Sequence, residues 1–336
     1  LLFFSSAVSE TYYTGLVFDD EAYDNTPRSA TLLTRDITFL PTSVSLEAYT
    51  PEVGSQGQTG TCTAWATAYG ARTILESIAY NRMNRVQSTK NVFSPSYVYN
   101  QIRLKQGCKH GTYIHDALNL MKSEGVAKFN SFGFNCNKKV TYKDKQNALP
   151  YKIQDYKRLF ARQSQNKVQL VKKALSQKKP VVIAMKIAKS FHKRAEDVWK
   201  PKQYEYQHIS ALGGHAMVIV GYDDNKDGGS FKLMNSWGKT WGENGFKWVR
   251  YQDFQYFVPY AYELITKPLP TKQVSLGGSL EFIGENGQRM NATYDKHRGI
   301  YVMNQSYYSG TRFNFIMTNK EPIYLYAFGL DALAKS

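Results

Sequence analysis

The chain has 336 residues, 42% of them apolar and 14% aromatic, with a formal net charge of +16 at neutral pH. This length and apolar content suit a large buried core in two or three domains and exclude a disordered or fibrous chain. No stretch approaches the roughly 18–20 apolar residues that cross a bilayer, which excludes a helical membrane-spanning protein.

Residues 1–9, Leu-Leu-Phe-Phe-Ser-Ser-Ala-Val-Ser, are short and apolar. The small residues Ala7 and Ser9 stand where a signal peptidase prefers them, so the segment is expected to be the remnant of a secretion signal. Residues 10–39 are a mixed polar stretch containing Asp19, Asp20 and Glu21. They are expected to form an N-terminal extension packed on the surface or a short pro-segment along a cleft, the first being the plainer expectation.

The stretch from Gln56 to Ala66 places Cys62 where a loop turns into a helix, and the run from Thr63 to Tyr80 has good helix formers, apolar spacing and no proline. A sulfur in a helix's first turn faces unpaired N–H groups and the positive end of the macrodipole, which favour thiolate over thiol. Most free cysteines are merely small core residues, and Cys62 alone does not decide between the two. Farther on, Ser94 or Ser96 caps a helix with Pro95 in its first turn, and His115 to Glu124 is an amphipathic helix with Ala117, Leu118 and Met121 on its apolar side.

Residues 138–202 carry 19 Lys or Arg against 4 Asp or Glu. Such a run suits anionic partners, but it includes the amphipathic helix beginning at Val168 and the apolar strand after Pro180, so a solvated basic face is the expectation and nucleic acid is not the expected partner. Next, His215 opens an apolar β-branched run, and a second strand from Phe231 ends at Asn235. The polar, glycine-bearing link from Asp223 to Ser230 makes these a hairpin that brings His215 and Asn235 together. His192 and His208 are alternative bases, but neither leads into the asparagine segment.

These stretches resemble the papain family of cysteine peptidases. The most specific match is Asn235-Ser-Trp-Gly, continuing through Trp241-Gly-Glu-Asn-Gly, together with Gln56-Gly some six residues before Cys62. His215 and Asn235 lie 153 and 173 residues after Cys62, slightly beyond the roughly 130–150 of the family signature. The resemblance implies Cys62 as nucleophile, His215 as base and acid, Asn235 as orienter, Gln56 as oxyanion donor and Trp237 as the indole covering the His–Asn bond. It also implies Gly111 and Gly214 as backbone sites along bound peptide, and a catalytic domain starting near Leu40. Thr59 stands where the family usually has a cysteine, and Thr63 replaces the usual aromatic after the nucleophile, with Trp65 filling part of that space.

Cys108 and Cys136 flank one helical segment and are expected to bridge in an oxidising compartment, leaving Cys62 free. No C-x-x-C or H-x-x-H pair is present to seed zinc, and no cofactor is expected. After Ile265 a proline-bearing linker leads to alternating runs at Ser279–Ile283, Gly299–Met303, Arg312–Met317 and Ile323–Phe328, which predict antiparallel strands. Nothing in these runs specifies a ligand; Asn291 and Asn304 fit glycosylation acceptors.

The expected fold is α+β: a papain-like two-lobed peptidase over 40–265, with a helical lobe (40–150) and a β-barrel-like lobe (151–265). An appended small all-β, β-sandwich-like domain over 266–336 is similar to C-terminal modules on some bacterial secreted enzymes. The expected function is a secreted, periplasmic or cell-surface cysteine peptidase, monomeric by default, acting on protein or peptide. The alternatives are a papain-fold amidase or transpeptidase on cell-wall peptides, or a binding or adhesion protein that keeps the fold without turnover.

Overall fold

Backbone pairing between β-branched runs sets the frame. A computed structural model describes residues 12–28, 40–194, 196–266 and 278–319. The chain divides into two units, Leu1–Lys267 and Pro268–Ser336. The signal-like residues 1–9 and the expected strand at Ile323–Phe328 lie outside the described residues.

Eight described strands form one sheet in the larger unit: β1 (Ser43–Ser45), β2 (Asp155–Arg158), β3 (Val181–Lys186), β4 (Val198–Trp199), β5 (Gly214–Asp223), β6 (Ser230–Met234), β7 (Phe246–Arg250) and β8 (Tyr260–Ile265). Their order is β2-β8-β3-β5-β6-β7-β4, with β1 paired to β5. The hairpin expected from the sequence is present, with Asp223 opposite Ser230 and Val218 opposite Met234. Residues Val181 to Met185 of β3 and Gly214 to Tyr222 of β5 are all buried, so these strands read as near-continuous apolar runs rather than alternating ones.

The helix expected from Thr63 to Tyr80 runs from Cys62 to Ala79, but not as one α-helix. It is α-helical at Cys62–Ala64, π-helical at Trp65–Arg72 and α-helical again at Thr73–Ala79. Such wide turns occur mostly as local bulges near functional sites, and spacing alone does not reveal them. Every residue of the π stretch is buried. At Gly70 a Cβ would stand 2.7 Å from a Val218 methyl, so the missing side chain is what lets this helix lie directly on β5. The element carrying Cys62 is thereby docked on the element carrying His215.

The remaining helices of this half follow their signals. Pro95–Ile102 is capped by Ser94, whose Oγ accepts from the Tyr97 N–H at 3.1 Å, and Ile114–Ser123 buries Ala117, Leu118 and Met121. The basic run forms the helix Lys167–Ser176 and β3. Several of its cations face carboxylates: Lys172 meets Asp224 and Lys179 meets Glu263, both at 2.7 Å. Lys167 is buried, its ammonium donating to the carbonyls of Gln255 and Val258 at 3.0 Å each. Among the described residues no helix is long and apolar enough to cross a membrane.

The second unit is all-β in its described part. β9 (Gly278–Gly284) pairs with β10 (Arg289–Met290) and, antiparallel over seven residues, with β13 (Phe313–Asn319), while β11 (Ala292–Asp295) pairs with β12 (Ile300–Met303). A turn at Glu285–Gly287 joins β9 to β10, with Gly287 at φ +76° closing it.

Replacing Gly70 by leucine is expected to lower unfolding stability by about 1–3 kcal/mol, through overpacking against Val218. A urea titration reads this as a lower midpoint at unchanged slope.

Candidate active site

Cys62 is the first residue of the central helix, and its side chain is fully buried. The Gly15 N–H donates to its Sγ at 3.2 Å, and the N–H of Ala216 also reaches the sulfur. His215 is the second residue of β5, so the residue following it touches the thiol. The hairpin sets Asn235 beside the ring, with 2.7 Å between His215 Nε2 and Asn235 Oδ1.

The hydrogen-bond network fixes the protons. Asn235 Oδ1 also takes the backbone N–H of Ser236 at 2.7 Å, so that atom must be the carbonyl oxygen. His215 Nε2 therefore carries the hydrogen. Nδ1 is left with a lone pair, and it is buried without a hydrogen-bond partner among the described residues. Trp237 stacks on the imidazole with ring centroids 4.5 Å apart, shielding the His–Asn bond.

Gln56 is fully buried and held by Ser236 at two points: its N–H donates to the Ser236 carbonyl at 2.8 Å, and its Oε1 accepts from Ser236 Oγ at 2.7 Å. The Gln56 Nε2 donates to the carbonyls of Thr59 at 2.6 Å and Tyr13 at 3.1 Å. Trp237 Nε1 donates to the same Tyr13 carbonyl at 3.0 Å. Thr59 holds the loop through its hydroxyl, which donates to the Gln56 carbonyl at 2.7 Å. Trp65 packs against Gly54, Tyr69 and Phe134.

Residues 12–18 lie along a groove between Thr112 and Gly214, over the Cys62 sulfur. Thr112 N–H donates to the Gly15 carbonyl at 2.8 Å, Val17 N–H donates to the Thr112 carbonyl at 3.1 Å, and Leu16 N–H meets the Gly214 carbonyl at 3.4 Å. The pairing is parallel to Thr112 and antiparallel to Gly214. Thr112 makes the two bonds beside Gly111, where a Cβ would stand 2.5 Å from the Gly15 carbonyl. At Gly214 a Cβ would stand 2.7 Å from the Phe18 ring. The segment continues into the helix Asp20–Asn25, capped by Asp19; the Tyr23 hydroxyl donates to the Phe160 carbonyl, and Arg162 binds Asp20 and Asp24 at 2.6 and 2.9 Å.

This cover sets the electrostatics. Burial pushes the Cys62 thiol up from its ordinary pKa, outweighing the N–H donors of Ala216, Gly15 and Thr63 that act the other way. Burial likewise holds the His215 imidazole down to about 3, against the raising effect of Asn235. The thiolate expected from the helix terminus is therefore not favoured while the segment is in place; desolvation of the charged forms wins.

Cys108 and Cys136 form a disulfide with Cα atoms 5.6 Å apart, and Cys62 is free. The bridge anchors the loop leading to Thr112, which is further tied by Gly60 N–H to the Cys108 carbonyl at 2.7 Å and the Tyr99 hydroxyl to the His110 carbonyl at 2.7 Å. His192 stacks on Trp237 at 5.0 Å, while the exposed His208 bonds its own helix at the Tyr204 carbonyl. Among the described residues no three His, Cys, Asp or Glu side chains converge as metal ligands do. Sequence reasoning missed Ser236, Thr112 and Tyr13. The first sits inside the Asn-Ser-Trp run and had a signal; the other two act through backbone atoms and had none.

The sequence profile described as papain family cysteine protease matches residues 40–257. A peptidase C1-like protein of Acanthamoeba polyphaga mimivirus is 29% identical over 208 residues, 57% of this chain and 61% of that protein. A cysteine protease of Blomia tropicalis is 25% identical over 203 residues, 59% of this chain and 56% of that protein. The chain thus spans about 60% of the length of these relatives. Among solved structures, xylellain, a cysteine protease from Xylella fastidiosa, aligns with a TM-score of 0.60 at 24% identity, over 76% of this chain and 96% of that one. A digestive procathepsin L2 proteinase of Tenebrio molitor aligns at 0.62 and 19% identity, over 76% and 78%, and these two likenesses concern the fold.

The imidazole makes the covered state acid-sensitive. Between its ordinary 6.5 and about 3, His215 binds more protons in the unfolded chain than in the covered fold, so stability of that fold falls as pH falls through that window. Urea titrations of the full chain are expected to show unfolding stability falling below pH 6.5, with this imidazole contributing at most about 1.4 kcal/mol per unit of pH.

Proposed function

Because the chain belongs to the papain family of cysteine proteases, we propose that it hydrolyses peptide bonds through Cys62 and His215, and that residues 12–28 hold it inactive until they are displaced. The observation that carries the chemistry is the proton arrangement on the imidazole. Nε2–H points at an orienting carboxamide and Nδ1 keeps its lone pair, which is what a base that must deprotonate a thiol requires.

With the groove open to substrate, His215 Nδ1 takes the Cys62 proton, giving a thiolate and an imidazolium. The sulfur attacks the amide carbon, and the carbonyl oxygen becomes an oxyanion. Gln56 Nε2–H and the Cys62 backbone N–H are its donors; the first is occupied by the Tyr13 carbonyl in the covered state. The imidazolium returns its proton to the departing amine as the C–N bond breaks. Water, deprotonated by the same nitrogen, then cleaves the thioester and restores the thiol.

The inhibitory reading rests on how the segment lies against the sulfur. It presents the Gly15 N–H to Sγ, so an amide nitrogen stands where a carbonyl carbon would have to be attacked. Its anchors are ion pairs from Arg162 and Arg158 to Asp20 and Asp24, and the Tyr23 ring stacked on Tyr260 at 4.3 Å. Gly15 is required there because a Cβ would stand 2.0 Å from the Gly60 carbonyl. Secretion is supported by the Cys108–Cys136 bridge, since disulfides persist in oxidising compartments.

An epoxide-type thiol inhibitor and a peptide library test this together. The full chain is expected to label slowly at Cys62, and Gly15→Val to label at least about tenfold faster, because uncovering restores thiolate character. Library peptides should be cut by the Gly15→Val form and not by its Cys62→Ala variant. Gln56→Ala should lower kcat by roughly 10²–10³. A Gly15→Val chain that labels at Cys62 yet cuts no peptide would sink the hydrolase reading.

A further inference from the structure

We infer that Trp237, His192 and Arg194 form a slot that binds a tyrosine-like side chain of the substrate, two or three residues beyond the cut bond on the leaving-group side. The inference rests on the peptidase reading above.

The side follows from the chemistry. The departing amine must lie against the imidazole that protonates it, and Trp237 covers that imidazole. Thr112 and Gly214 pair instead with Gly15 to Val17, farther along the groove. Residues 12–14 therefore run along the Trp237 side. The peptide unit joining Thr14 to Gly15 lies at the sulfur, which makes Tyr13 and Tyr12 the second and third residues out.

The slot is built by the body of the protein rather than by the segment it now holds. His192 ends the 3₁₀ turn Lys189–His192, whose Ser190 gives its N–H and hydroxyl to the buried Glu205 carboxylate at 3.0 and 2.6 Å. Trp199 Nε1 donates to the same hydroxyl at 2.8 Å. The buried Lys247 ammonium donates to the carbonyls of Phe191 and Lys193 on either side of His192. The Arg194 carbonyl is fixed by the Gly242 N–H at 3.1 Å, and Trp237 is braced edge-on by Trp241 at 5.2 Å.

The present occupant states the chemistry. The Tyr12 ring stacks on Trp237 at 4.7 Å with planes 13° apart and faces His192 at 6.1 Å, and its hydroxyl accepts a hydrogen bond from Arg194 Nε. Burial and the Lys247 charge lower the His192 pKa, which favours the neutral ring as a stacking partner. Flat aromatic faces select an aromatic ring, and the guanidinium selects one bearing an acceptor at its tip. Once residues 12–18 leave, the same surfaces are open to substrate.

The test uses the full chain carrying Gly15→Val and peptide amides that differ only by Tyr, Phe or Ala at the second or third position past the cut. The expected kcat/KM for Tyr over Ala at one of these positions is about tenfold, with Phe between. Arg194→Leu should erase the Tyr-over-Phe ratio, and His192→Ala should reduce both aromatic ratios. Equal kcat/KM for Tyr and Ala at both positions overturns the slot while leaving the peptidase reading intact. If the Gly15→Val chain cuts nothing, the peptidase reading fails instead. The slot is then judged by indole-fluorescence titration of the Gly15→Val, Cys62→Ala chain with the same peptides, where tighter Tyr binding upholds it and equal binding overturns it.

Discussion

Ser236 joins the two halves of the centre. Its hydroxyl and carbonyl hold the Gln56 side chain and backbone, and its N–H holds the Asn235 carbonyl oxygen. One residue of the hairpin thus orients both carboxamides, one bonded to the imidazole and the other to the Tyr13 carbonyl of the covering segment. Each bond is worth only about 1 kcal/mol net, but leaving one partner buried and unpaired costs more than that. The geometry is therefore held less by the strength of any one contact than by the cost of breaking it. The fit of the Cys62 helix on β5 at Gly70 supplies the other half of the constraint, since it keeps the sulfur at the edge where that hairpin begins.

Desolvation is the second theme. A thiol and an imidazole that would exchange a proton in water are both driven to their neutral forms when buried, and Gly15 lies directly against the sulfur. The helix terminus still favours a thiolate, but its effect is a few tenths of a kcal/mol to about 1, while removing a charge from water costs several. The ordering of these magnitudes decides which protonation state the covered form holds.

Much of this was legible in the chain. The elements carrying Cys62, His215 and Asn235 follow from helix spacing, β-branched runs and a glycine-bearing turn, because each depends on contacts between near neighbours in sequence. The π-helical stretch at Trp65–Arg72 was not legible, since it arises from packing against β5. The course of residues 12–18 along the groove was legible only as the second of two readings, because it depends on backbone pairing with Thr112 and Gly214, at positions far off in sequence. Side chains announce themselves in a sequence; N–H and C=O groups, which every residue has, do not. In the sequence His192 reads as a possible base; its place beside Trp237 is set by the turn from Lys189, which Glu205 and Lys247 pin.

Three sulfurs allow three different bridges, and only the one between Cys108 and Cys136 is made. Exchange between thiols and disulfides proceeds through an accessible, ionised sulfur, and the one beneath Gly15 is neither. The docked residues 12–18 therefore act as a guard against scrambled cross-links: while they stay seated, the Cys62 sulfur is withheld from the other two cysteines.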